Sequence, residues 1–205
     1  MVNQWYEIPV FYFSNPASVI GHGDLVYPPM NSTELDFELE IAAIIGAQAS
    51  DLHEDDSAMD CVAGFTIYND WSARDLQRNE MAVGLGPSKG KDFANALGPY
   101  LVPFSDLRDR YQNGRLDLNM SASINGKIVS RGNASSMYWT WPQLLAHASR
   151  DTKLLPGDVI GSGTVGTGCI LELTPAVTGG WLKAGDVVQL EIERLGVLEN
   201  RVGSR

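Results

Sequence analysis

Lysine and arginine are missing from the first 73 residues, a stretch that holds 12 of the chain's 25 acidic residues. A chain of 205 residues with net charge −10 offers no basic face to a phosphate backbone, so nucleic acid is not an expected partner. A secretory leader needs a positive start, so that address is not expected either. The two cysteines, Cys61 and Cys169, are too few for a disulfide framework and lack metal-type spacing. No apolar run approaches the ~18 residues that a membrane span requires, which removes the membrane as a partner. There is no repeat, no H-E-x-x-H and no C-x-x-C. What remains, at 44% hydrophobic and 20% charged residues, is a globular composition. It is expected to form one cytoplasmic domain over residues 1–205.

Extended segments are predicted at 35–45, 62–69, 116–130, 158–160, 169–174 and 186–193, where alternating or β-branched residues run between turn formers. Asn125-Gly126, between SASI and KIVS, is the strongest hairpin signal in the chain. Leu154-x-x-Gly157-Asp158-Val159 and Leu182-x-x-Gly185-Asp186-Val187 read as two similar turns feeding strands. Short helices are predicted at 54–61, 71–79 and 142–149. Many strands with few helices give an α+β, predominantly β class rather than a doubly wound sheet.

Two nucleotide-type motifs fail. Gly161-Ser162-Gly163-Thr164-Val165-Gly166 fits G-x-G-x-x-G, but 169–174 behind it reads as a strand. No helix N-terminus would then face a pyrophosphate. Lys89-Gly90-Lys91 lacks the glycine and the hydroxyl residue of a phosphate loop, with Leu85 and Asp92 in their places.

From Leu35 to Ile41 apolar and acidic residues alternate. On a strand Asp36, Glu38 and Glu40 share one face, and carboxylates two residues apart stand ~7 Å from each other, close enough to converge on one ion. An edge strand with a solvated acidic face has the same pattern, and alternation alone leaves both open. Asp70 falls where the 62–69 strand gives way to a helix, a place for an N-cap or for a functional carboxylate. Arg74 and Gln77, three apart on that helix, project on one side.

These segments stand in one order: Asp36-Phe37-Glu38-Leu39-Glu40, Asn69-Asp70-Trp71-Ser72-Ala73-Arg74-Asp75-Leu76-Gln77, Gly90-Lys91-Asp92-Phe93, and Gly157-Asp158-Val159-Ile160-Gly161-Ser162-Gly163-Thr164. The series resembles the fumarylacetoacetate hydrolase family in its C-terminal catalytic domain, from about Trp5 to Val202. The resemblance implies a mixed β-sandwich or roll with short helices, usually a homodimer. It also implies Mg²⁺, Mn²⁺ or Ca²⁺ held by Glu38, Glu40 and Asp70, and hard cations do prefer carboxylate oxygen. Asp36 has the same parity but matches no family ligand, so it is not counted among them. Lys91 matches the family lysine and would neutralise developing negative charge. Arg74 would orient the substrate or the carboxylate cage, and Thr164 would donate a hydrogen bond to a substrate carboxylate. Gln77 and Glu172 match family positions near metal or substrate.

The leading expectation is a metal-dependent hydrolase that cleaves a C–C bond in a 2,4-dioxo acid through a stabilised enolate. The alternatives are an isomerase, tautomerase or decarboxylase of a related oxo-dioate (2-hydroxyhepta-2,4-diene-1,7-dioate or oxaloacetate), or a non-catalytic relic without its lid. In each active case the partner is a small oxo acid. Hydrolysis needs a base to activate water. Family hydrolases often take it from a segment before the domain or from a lid, and this chain begins near the first strand, so that segment is expected to be missing. Of His22, His53 and His147, His22 sits in the glycine-rich loop Ile20-Gly21-His22-Gly23-Asp24 and is the candidate base.

Overall fold

The computed structural model describes Asn3–Ser204. Its strands begin with β1 (Val19–Ile20), β2 (Leu25–Val26), β3 (Leu35–Asp36), β4 (Leu39–Ile45) and β5 (Val62–Asp70). They continue through β6 (Ser72–Ala73), β7 (Asn95–Pro103), β8 (Tyr111–Gln112), β9 (Arg115–Leu116) and β10 (Asn119–Ile124). The last are β11 (Lys127–Asn133), β12 (Val159–Gly161), β13 (Val187–Ile192) and β14 (Gly196–Val202). Four short helices, α1 (Arg74–Met81), α2 (Trp141–Ser149), α3 (Ile170–Leu173) and α4 (Pro175–Thr178), fill the gaps.

The strands form two mixed five-stranded sheets, ordered β1-β7-β5-β4-β12 and β11-β10-β13-β14-β2. The sheets face each other where β14 meets β7 and β5, and where β13 meets β5. Between them lies one apolar core that includes Phe37, Ile41, Phe65, Ile67, Leu190 and Leu198, all essentially sealed from solvent. Phe65 packs edge-on against Trp141 at 5.0 Å, which seats α2 on the first sheet. That helix starts where Thr140 and Gln143 complete a capping box, with Pro142 inside its first turn. The predominantly β, α+β class therefore holds.

The Asn125-Gly126 hairpin joins β10 to β11, and both residues take positive φ, as that tight turn requires. The two Leu-x-x-Gly-Asp-Val turns also match each other. Asp158 accepts from the Leu155 amide at 2.7 Å, and Asp186 accepts from the Lys183 amide at 2.9 Å.

Three segments depart from the sequence reading. The extended run 35–45 is interrupted at Phe37–Glu38, where β3 leaves β4 to pair with β6. The helix expected from residue 71 starts only at Arg74, because Ser72 and Ala73 are committed to that pairing. Residues 169–174 are not a strand: Ile170–Leu173 is one turn of α-helix. Side-chain pattern could not separate strand from helix in so short an apolar run. The first ground for rejecting the glycine motif therefore falls, and the replacement is firmer, because the Ile170 and Leu171 amides are already taken by Asp36.

Candidate metal centre

The alternation from Leu35 to Ile41 does not produce a solvated acidic face. Asp36 is 0% exposed and Glu40 is 3% exposed, and Glu38 is nearly as deep. Burial at this density selects for partners, since an unpaired buried carboxylate is costly.

β4 carries Glu40 and is paired with β5 so that Leu39 lies opposite Asn69, one residue before Asp70. At the break between β3 and β4 the Glu38 amide donates to the Asn69 side chain at 3.0 Å in place of a ladder bond. These pairings bring one oxygen each of Glu38, Glu40 and Asp70 within 4.8 Å of one another. Asp70 does not cap the helix: the residue before α1 is Ala73, and Asp70 Oδ1 is buried without a hydrogen-bond partner.

Two cations enter the cluster. Lys91 Nζ reaches Glu38 Oε2 at 2.6 Å and Asp70 Oδ2 at 3.1 Å. Arg74 Nη2 lies 2.8 Å from Glu38 Oε1, its Nε donates to Asp36 at 2.8 Å, and its Nη1 donates to Gln77 at 2.9 Å. Lys91 is delivered by a turn whose amides at Ser88, Lys89 and Gly90 all donate to Glu80 at the end of α1. Gly90 is required there, because a β-carbon would come within 2.7 Å of the Gln77 backbone.

The charges divide unevenly. Burial pushes the Glu38 carboxyl up, but Lys91 and Arg74 together hold it below its ordinary value. Glu40 has no cation bonded to it. Burial first, then the Glu38 and Asp70 carboxylates, push it well above the ordinary range. Asp70 is raised mainly by burial, against the pull of Lys91. Burial would lower Lys91, yet the carboxylates beside it carry it upward. Three convergent carboxylates, one without a counter-cation and one with an orphaned oxygen, form a donor set that fits a hard divalent cation.

The loop after β12 closes over Glu40. Gly163 donates its amide to Glu40 Oε2 at 3.0 Å, and a β-carbon at Gly161 would meet that same oxygen at 2.7 Å. Thr164 stands on this loop, half-buried. Glu172 lies on α3 and reaches back to the Thr167 amide at 2.6 Å, so it braces the loop and is bonded to none of the three acids. His22 is placed elsewhere: its Nδ1 accepts from the Glu199 amide on β14 at 3.1 Å. No hydrogen bond or ion pair links His22, His53 or His147 to the three acids. The cavities of about 270 and 140 Å³ at residues 112–135 and 124–186 share no residue with them either.

One residue at the cluster escaped the sequence reading. Tyr12 hydrogen-bonds Asp70 Oδ2, and Lys91 lies 5.8 Å from its ring. Its segment is tied down by Asn95, which accepts from Ser14 at 2.9 Å and donates to Ser18 at 2.8 Å. A lone tyrosine in an irregular segment carries no pattern that could have flagged it. Asp36, left out of the ligands for want of a family match, is not among the three convergent acids.

Comparison with known proteins agrees with this geometry. An oxaloacetate tautomerase, YisK of Bacillus subtilis, is 34% identical over 201 residues, covering 96% of this chain and 62% of its own length. The mitochondrial oxaloacetate tautomerase FAHD2A of Homo sapiens is 37% identical over 196 residues, covering 95% of this chain and 59% of its own. The chain thus spans about three fifths of the length of these relatives. A crystal structure of fumarylpyruvate hydrolase from Pseudomonas aeruginosa with Mn²⁺ and pyruvate superposes with a TM-score of 0.79 at 25% identity, covering 95% of this chain and 79% of that one. Residues 2–203 match the fumarylacetoacetate (FAA) hydrolase C-terminal model, and the chain belongs to that family.

Proposed function

We propose that this chain is a divalent-metal-dependent tautomerase of oxaloacetate or a closely related oxo-diacid. The observation that carries the reading is Lys91 Nζ, placed between Glu38 and Asp70 at a site to which no histidine is bonded. Such a site offers positive charge for an enolate, which is what moving a proton between carbon and oxygen requires of its surroundings. The relatives named as oxaloacetate tautomerases support the same choice.

Glu38, Glu40 and Asp70 would hold Mg²⁺ or Mn²⁺, whose contribution is Lewis-acid stabilisation of enolate charge. Tautomerisation moves one proton between the carbon next to the carbonyl and its oxygen, and it breaks no C–C bond. Lys91 supplies a hydrogen-bond donor and a charge where negative charge develops on the substrate oxygen. Arg74, gripped by Asp36 and Gln77, keeps Glu38 aimed at the site. Thr164 and the Gly163 amide stand on the loop that borders Glu40. Tyr12 places a hydroxyl against Asp70.

C–C bond hydrolysis is the second reading, favoured by the likeness to fumarylpyruvate hydrolase. It needs in addition a group that activates water. One experiment separates the readings. The enol form of oxaloacetate is followed by its ultraviolet absorbance with Mn²⁺, with Mg²⁺ and with EDTA, and the products of fumarylpyruvate are analysed in parallel. Metal-dependent loss of enol with the carbon count unchanged is expected. Release of pyruvate from fumarylpyruvate at a comparable rate would replace tautomerase by hydrolase, and turnover of neither would leave the relic reading.

A further inference from the structure

The fourth acid of the cluster has a task that its position, rather than any motif, defines. Asp36 is fully buried, and its two oxygens receive four donors. Oδ1 accepts from the Phe37 amide at 2.8 Å and the Ile170 amide at 2.7 Å. Oδ2 accepts from the Leu171 amide at 3.0 Å and Arg74 Nε at 2.8 Å. No lone pair aimed at the three-acid cluster is left over, so Asp36 does not act as a ligand.

The donors belong to two parts of the chain that separately orient the two glutamates. Arg74 holds Glu38 through its outer nitrogen. Ile170 and Leu171 open α3, and the loop just before that helix is fastened to β4 by the Val165 amide on Leu39 (3.1 Å) and the Leu39 amide on Gly168 (3.0 Å). The same loop places the Gly163 amide on Glu40. One carboxylate therefore ties Arg74, and through it Glu38, to the loop that fixes Glu40. Burial holds the Asp36 carboxyl above its ordinary value, against the pull of Arg74 and the two amides.

We propose that Asp36 is a positioning residue that sets the spacing of Glu38 and Glu40 and so sets the size of ion the site accepts. This rests on reading the three acids as a cation site. A rigid cage suits a small ion with strict octahedral demands, whereas Ca²⁺ tolerates a looser one. Asparagine at this position keeps the shape but can accept at only one of its two ends, so at least one clamp opens.

The test is calorimetric titration of wild type, Asp36→Asn, Arg74→Lys and the double variant with Mn²⁺ and with Ca²⁺, with a melting curve in EDTA to confirm folding. In Asp36→Asn, Mn²⁺ affinity is expected to fall roughly 10- to 100-fold, the usual loss for an outer partner of a ligand. Ca²⁺ affinity falls less, so the Mn²⁺/Ca²⁺ ratio drops. The second substitution then costs little beyond the first, because both break the same link. A general loss of packing would lower both ions alike and add in the double variant, and that result overturns the proposal. If Asp36→Asn does not fold, Arg74→Lys alone decides: lysine keeps a charge near Glu38 but lacks the geometry to hold Asp36 at once, and an unchanged Mn²⁺/Ca²⁺ ratio overturns the link. A wild type that binds neither ion refutes the cation site itself, a failure distinct from that of Asp36.

Discussion

Glu40→Gln separates the electrostatics of the site from its packing, because it should stabilise the metal-free protein while abolishing its response to metal. The folded chain holds the Glu40 proton above the ordinary carboxyl value of 4.5, through burial and through its two acidic neighbours. The stabilisation tied to that proton is full below the unfolded value and is lost as pH rises toward the folded one. Through that window the metal-free wild type loses about 1.4 kcal/mol per pH unit on account of this group. Glutamine has no proton to shed and can still accept from Gly163. The variant should therefore melt higher than wild type in EDTA near neutral pH, by roughly 3–5 °C for each pH unit of the window. Mn²⁺ at a hundredfold excess over its dissociation constant should stabilise wild type by about 2.7 kcal/mol, roughly 5–10 °C. The variant should lose most of that shift. Scanning calorimetry from about pH 5 to about pH 8, with EDTA and with Mn²⁺, reads both effects. A variant that melts below wild type in EDTA, with an unaltered pH slope and an intact Mn²⁺ shift, would refute both the repulsion and the ligand role.

Lys91→Met should lower the rate of enol-oxaloacetate conversion by about 10²- to 10³-fold, as expected for loss of a preorganised charge. Its Mn²⁺ affinity should hold or rise, because a competing cation has gone; a loss of Mn²⁺ binding equal to the loss of rate would count against this role. Tyr12→Phe removes the hydroxyl from Asp70, so Mn²⁺ should bind several-fold more tightly by calorimetry; weaker binding would make the hydroxyl a supporting partner. Gly161→Ala puts a methyl group 2.7 Å from Glu40 Oε2 and 2.9 Å from the Tyr68 ring. It should cost about 1–3 kcal/mol in urea unfolding, and a neutral result would show that the loop gives way freely.

The sequence was most legible where residue order and side-chain parity coincide. Glu38, Glu40 and Asp70 converge, as the family resemblance implied and alternation alone left open, and Lys91 and Arg74 join them. Parity alone would have added Asp36 to the ligands, whereas the motif match left it out, and its carboxylate, though as buried as the glutamates, turns to α3. Among the strands that were not foreseen, two are long. β7 contains Gly98, Pro99 and Pro103, and β14 runs through Glu199-Asn200-Arg201, so both read as turns or surface until their partners are known. His22 stood out for its loop, but loop placement carries no information about which strand the imidazole will meet, and it met β14.

The distribution of charge along the chain also bears on how the site comes into being. Residues 1–73 hold the three clustered acids and Asp36 but no Lys or Arg. Their closest cations, Arg74 and Lys91, follow immediately, and the glycine loop that covers Glu40 comes about 70 residues after Lys91. The acidic segment therefore depends for its neutralisation on residues that all lie downstream of it. Closure of this centre draws on residues 161–171, far along the chain from the acids they cover.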